Sequence, residues 1–175
     1  MELLKEILPK ISRVSVLGNS TEPGNAQALK EIELAAAAFK IKLQYIDIRG
    51  PGDIESALPS AIKSRADALL VLTSPVATAQ RALIAELATK NRIPTLYQVR
   101  ESVEAGGLIS YGVRISDLWY RAATYVDKIL KGSKPADLPV EQPIKFDLVI
   151  NLKAAKQIGL TIPPNVLARA DRVIR

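Results

Sequence analysis

The sequence predicts an α/β fold: a mainly parallel sheet with helices on both faces. Three observations predict it. Short β-branched or aliphatic runs alternate, from end to end, with segments whose apolar residues recur at helical spacing. The composition is 48% hydrophobic but only 5% aromatic, which suits an aliphatic core between sheet and helices. The length, 175 residues, makes one domain of ordinary size, long enough to bury that core.

The elements follow in order. "MELLKEILPKISR" is an amphipathic helical turn or two with charges inside it. "RVSVLG" (13–18) is a β-branched strand, and from Asn25 to Lys40 the residues Leu29, Ile32, Ala36 and Phe39 mark a helix. "KLQYIDI" (42–48) is the second strand, punctuated by "GPG" (50–52). Asp53 is placed to cap a helix carrying Ile54, Leu58 and Ile62, which Pro59 should bend or delay. "DALLVL" (67–72) is the most apolar strand and the natural centre of the sheet. In "TSP", Ser74 is placed to cap and Pro75 to occupy the first helical position; Val76, Leu83 and Leu87 line a helix to about Asn91. "IPTLYQ" (93–98) is a fourth strand, "ESVEAGG" (101–107) a helical turn closed by glycines, and "LISYG" (108–112) a fifth strand. Ser116 begins a strong helix with Leu118, Ala122, Val126 and Ile129 on one face, stopped by Gly132. A Pro-rich connection (131–143) leads to the last strand, "KFDLVINL" (145–152). Two short helices, Ala154–Ile158 and Pro164–Val173, finish the chain.

Composition narrows function. The net charge of +6 raises nucleic acid as a partner, but the Lys and Arg are scattered among Asp and Glu, with no run and no interleaved aromatics. A basic surface without nucleic-acid binding is the reading. Cysteine and histidine are both absent, which removes disulfides, thiolate chemistry, the usual triad and most zinc sites. Glu101 and Glu104 lie three apart, a spacing more often solvated than catalytic. Trp119, Tyr120 and Tyr125 wrap their helix instead of sharing a face, so they do not make an aromatic ligand box. No apolar stretch approaches the roughly 20 residues that span a bilayer, and the charged start is not a secretion signal. With Met1 as the true start the expectation is a cytoplasmic chain.

Ligands of such sheets lie beyond the carboxyl ends of the strands. That rule nominates Asn19–Ser20, Thr73–Ser74 and Gln98–Glu101. The competing explanation for each is turn chemistry, since Asn and Ser cap helices for structural reasons alone. The turn "GNSTEPGN" (18–25) also admits a flavodoxin-like reading, with Ser20 and Thr21 near a flavin phosphate. Against it, Pro23 has no N–H and Glu22 brings negative charge.

"EAGGLISYG" (104–112) and the run from "YVDKILKGSKPADLPVEQP" through "FDLVINLKAAKQIGLTIP" to "NVLARADRVI" closely resemble the substrate-binding proteins of ABC transporters, in the tryptophan/tyrosine-type branch. "ELLKEILPKISRVSVLGN" (2–19) resembles the entry into their second lobe, so the resemblance covers essentially the whole chain. It implies a type I periplasmic-binding-protein fold: two Rossmann-like lobes joined by a hinge, trapping a small solute such as an amino acid, with no catalysis and no cofactor. The partner it implies is an ABC permease, and the location extracytoplasmic.

By that resemblance, residues 1–106 form the second lobe. Residues 107–132 are a crossover strand and helix belonging to a first lobe, and 133–175 return to the second. Asn19, Ser20 and Asn25 would offer donors to a carboxylate or similar group, with Thr73 and Ser74 at a helix N-terminus doing likewise. Gln98, Arg100 and Glu101 would pair with an amine or acid, and Tyr111 would sit near the hinge. "GNSTEPGN" then faces an inter-lobe solute more readily than a phosphate. The crossover helix, without the sheet it should cover, is expected to fold back or find a second copy, giving a homodimer. A dimeric remnant that binds nothing is the remaining alternative.

Overall fold

In the computed structural model, which describes residues 1–143 and 145–175, seven strands form one sheet in the order β2-β1-β3-β4-β5-β6-β7. The strands are β1 (Arg13–Gly18), β2 (Lys42–Asp47), β3 (Ala68–Val71), β4 (Thr95–Tyr97), β5 (Ile109–Val113), β6 (Phe146–Asn151) and β7 (Arg172–Ile174). The first five run parallel; β6 is antiparallel to β5, and β7 is parallel to β6. Period-two alternation divides the core. Val14, Val16, Leu70 and Leu96 face one layer, and Leu17, Leu69, Val71 and Tyr97 face the other. The first layer is built with α1 (Glu2–Ile7), α2 (Pro23–Ala38), α8 (Leu152–Ile158) and α9 (Pro164–Leu167). The second is built with α3 (Asp53–Lys63), α4 (Pro75–Ala79), α5 (Arg81–Lys90) and α6 (Arg100–Glu104). Covered on both faces, β3 buries all four of its residues, as a central parallel strand should.

Strand order reverses between β1 and β3, so the crevice of the sheet opens at the carboxyl ends of those two strands. One helix stands apart. α7 (Ile115–Leu130) buries none of its residues, and Trp119, Val126 and Leu130 remain 73%, 55% and 81% exposed.

Several elements differ from the sequence reading. The predicted terminal helix Pro164–Val173 is a single turn, and the β-branched "RVI" that follows pairs with β6 as the seventh strand. α2 starts at Pro23, which takes the first helical turn, two residues before Asn25. The helix predicted from Ser74 to Asn91 is divided at Gln80. Pro59 lies inside α3 without ending it. Asp53 does not cap α3 through its side chain; its Oδ2 accepts from the Arg49 and Gly50 N–H groups at 2.8 and 2.9 Å and holds the preceding turn. No helix among the described residues is long and apolar enough to cross a membrane.

Candidate functional site

The carboxyl ends of β1, β3 and β4 form a rim joined by a chain of hydrogen bonds. Asn19 N–H donates to Asn25 Oδ1 at 3.1 Å, and Asn25 Nδ2 donates across the switch point to the Thr73 carbonyl at 2.8 Å. Thr73 N–H in turn donates to Gln98 Oε1 at 2.7 Å. Asn25 sits on the first turn of α2, and its carboxamide reaches β1 because residue 18 is glycine: a Cβ there would lie 2.8 Å from Asn25 Oδ1. Ser74 caps α4 as expected, its Oγ accepting from Ala77 N–H at 3.1 Å.

The turn at residues 18–25 is organised by a residue that is not among those nominated. Asp47, at the end of β2, accepts from Ser20 N–H at 2.8 Å and from Ser20 Oγ at 2.7 Å, and Arg49 Nε donates to it at 2.6 Å. The Ser20 N–H bond, joined by the Ser20 hydroxyl and the Arg49 guanidinium, holds the Asp47 carboxyl below its usual range despite some desolvation. Thr21 turns its N–H and hydroxyl inward to Asn19 Oδ1. A phosphate cradle needs free N–H groups converging on an anion. Here those of Ser20 and Thr21 are committed, and a carboxylate lies against the turn. The flavin reading fails on this geometry. The strand-final "YID" was the available signal for Asp47.

Further along the rim, Gln98, Arg100 and Glu101 meet β5 and the start of α7 in a notch of about 20 Å³, room for one water-sized group. Ser110 Oγ is buried there without a hydrogen-bond partner among the described residues. Gly112 lies so close to the Gln98 carbonyl that any Cβ would overlap it. Arg114 donates to Asp147 from both Nε and Nη2. That hydrogen bond and the carboxylate's charge raise the Arg114 pKa above its ordinary value.

Of the nominated residues, the structure links Asn19, Asn25, Thr73 and Gln98 directly. Ser20 and Ser74 flank them, and Arg100 and Glu101 stand at the notch. Tyr111 does not join this group. It is 53% exposed, stacks on Phe146 with ring centroids 5.7 Å apart, and faces a shallow trough of about 580 Å³ over Leu70, Leu96 and Leu148. The nominated donors are largely used inside the rim, which makes the rim rigid. No cluster of His, Cys, Asp and Glu able to hold a metal occurs among the described residues.

Comparison with known proteins bears on the family and the fold. The family model for ABC transporter substrate binding proteins matches residues 1–174. The chain is 22% identical over 160 residues to the tyrosine-binding protein of Clostridioides difficile (strain R20291), covering 91% of this chain and 46% of that one. An ABC domain from Streptococcus pneumonia, solved in complex with L-Trp, superposes with a TM-score of 0.90 at 27% identity, over 99% of this chain and 58% of that chain. The ligand-free, open structure of a substrate-binding protein with adhesive properties from Clostridium difficile superposes at 0.75 and 25% identity, with the same coverages. The chain thus spans about half the length of these relatives. By the extent of the family match, this chain belongs to the ABC transporter substrate-binding proteins.

Proposed function

We propose that this chain supplies one jaw of a solute-binding clamshell: it grips a small molecule at its strand-end rim and performs no chemistry on it. The observation that carries the reading is the hydrogen-bonded rim at the switch point of the sheet, beside a helix, α7, that buries nothing of its own. A single rim gives half a cleft, and small-molecule sites bury most of their ligand. The second half comes from a complementary lobe that packs on α7. Residues 1–106 and 133–175 then form the second lobe, and 107–132 are the crossover into the other.

The solute class we favour is an aromatic amino acid, since one relative is named for tyrosine and one neighbour holds L-Trp. Asn19, Ser20, Asn25, Thr73 and Ser74 build the rim that its polar end faces, with Gln98, Arg100 and Glu101 on the hinge side. The permease of an ABC transporter is the downstream partner, at an extracytoplasmic location. Where no complementary lobe is present, a second copy covers α7 and the chain is a homodimer, a reading favoured by the apolar residues the helix leaves exposed.

Thermal unfolding with L-tryptophan, L-tyrosine and unrelated metabolites tests the reading. A ligand at a hundred times its Kd adds about 2.7 kcal/mol, worth roughly 5–10 °C in a chain of this size. A rise with an aromatic amino acid alone supports the assignment. An intact fold whose melting point no ligand moves favours a dimer that binds nothing.

A further inference from the structure

Helix α7 has no buried side chain to tell it where to point. Its sixteen residues include none that is buried, so contacts with the sheet's helices do not fix its direction over the rim. With the strap that follows, it forms a unit tied to itself: Arg121 Nη1 lies 2.9 Å from Glu141 Oε2, and Tyr125 OH donates to the Pro139 carbonyl at 2.6 Å. Two chain crossings join this unit to the sheet, one leaving β5 at Arg114 and one entering β6 through Lys145. At these crossings the Arg114 guanidinium donates twice to Asp147 Oδ1 on β6, and its Nη2 lies 3.9 Å from Asp171 Oδ1, just ahead of β7. Arg114 N–H donates to the Lys145 carbonyl at 3.2 Å, and Lys145 Nζ lies 3.4 Å from Asp117 Oδ2 on the first turn of α7.

A planar guanidinium held twice by a carboxylate fixes direction as well as distance, which a lysine in its place would not. Asp147 is 9% exposed, so the fork is anchored on the sheet side by a carboxylate that cannot wander. We propose that Arg114, with Asp147 and Asp171, is a positioning cluster that sets the angle of the α7 unit over the strand-end rim. The proposal rests on the rim being the solute-binding face. The arrangement of this chain lies nearer the neighbour that holds L-Trp than the ligand-free, open one, although both align with nearly all of it at similar identity. Where only a fraction of molecules holds the competent angle, apparent affinity falls by that fraction.

The chain contains no cysteine, so spin labels placed through Lys63→Cys on α3 and Lys128→Cys on α7, both exposed, report the angle as a distance distribution. Diluted into unlabelled chain, so that only distances within one chain are read, the parent should give one narrow distribution, and Arg114→Ala a broadened or displaced one. Arg114→Lys, which keeps the charge but loses the fork, should stay broadened. The same variants are titrated with L-tyrosine and L-tryptophan, and at least tenfold weaker binding is expected for Arg114→Ala. A distribution that Arg114→Ala leaves unchanged overturns the proposal. If Arg114→Ala does not fold, the neutral Arg114→Gln is read by the same criteria. A parent that binds neither amino acid contradicts the solute assignment, while the distance distributions still decide the cluster.

Discussion

Asn25 holds together the point at which the sheet reverses its strand order. Its carboxamide accepts from Asn19 and donates to Thr73, and it is only 6% exposed. Asn25→Ala therefore leaves a buried N–H and a carbonyl without partners and should cost about 1–3 kcal/mol in chemical denaturation. It should also weaken any solute the rim holds. A change within a few tenths of a kcal/mol would mean that the rim is not a connected network. Gly112→Ala tests the other end, because the new methyl meets the Gln98 backbone carbonyl, which has no rotamer to yield. Overpacking of this kind costs about 1–3 kcal/mol, again read by denaturation. At this scale the sequence was half legible. The topological rule found Asn19, Thr73 and Gln98, because strand ends are visible in apolar runs. It did not find Asp47, Ser110 or Arg114, whose importance lies in partners distant along the chain.

Among the elements, three helices end on residues that carry the wrong side chain for their backbone. Lys40, Arg65 and Arg92, just past α2, α3 and α5, hold φ of 56°, 58° and 54°. This left-handed geometry strains an L-residue by roughly 1–2 kcal/mol, a cost glycine avoids. Part of that gain is lost to the freer unfolded chain. Arg92→Gly should thus raise stability by about 0.5–1 kcal/mol, seen as a higher denaturation midpoint; a loss would mean the arginine side chain does more than cap.

At the amino ends of the interior strands β1 and β3, away from the rim, Asp67 Oδ2 accepts from Ser12 N–H at 2.8 Å and Arg13 N–H at 2.9 Å. Burial pushes its carboxyl up, but the hydrogen bonds from Ser12 and Arg13 outweigh it and hold it below 3.8. A lowered folded pKa means the ionised form favours folding. The contribution is complete above the ordinary value and disappears as pH falls through the lower folded one. Asp67→Ala should destabilise the protein at pH 6, with the difference from the parent shrinking as pH falls below the ordinary carboxylate range. A difference independent of pH would assign the loss to packing. Helix and strand order were legible because each layer needs its own apolar period. β7 was not, since three β-branched residues after a helical turn carry no signal until β6 is beside them.

For the molecule as a whole, α7 decides what state it takes. Its exposed Trp119, Val126, Ile129 and Leu130, with Val140 of the strap, present several hundred Å² of apolar surface, comparable to one side of an ordinary protein interface. Light scattering on the isolated chain should give twice its 19.0 kDa. Trp119→Lys with Val126→Lys should return the mass to that of one chain and leave the melting point of the sheet domain nearly unchanged. A parent of single mass at high concentration would rule out the second copy as the cover of α7. The family was legible in the wording of residues 129–163, and through that resemblance so was a helix with no sheet of its own to cover; the apolar stripe of α7 alone, which reads like that of any core helix, did not show it.

The most direct test of the central claim is amide NMR of the labelled chain during titration with L-tryptophan and L-tyrosine. Saturable shifts are predicted at Asn19–Ser20, Thr73–Ser74 and Gln98–Glu101, the three strand ends that make the rim. Shifts confined to the trough beneath Tyr111 and Leu148, or none up to millimolar ligand, would contradict it.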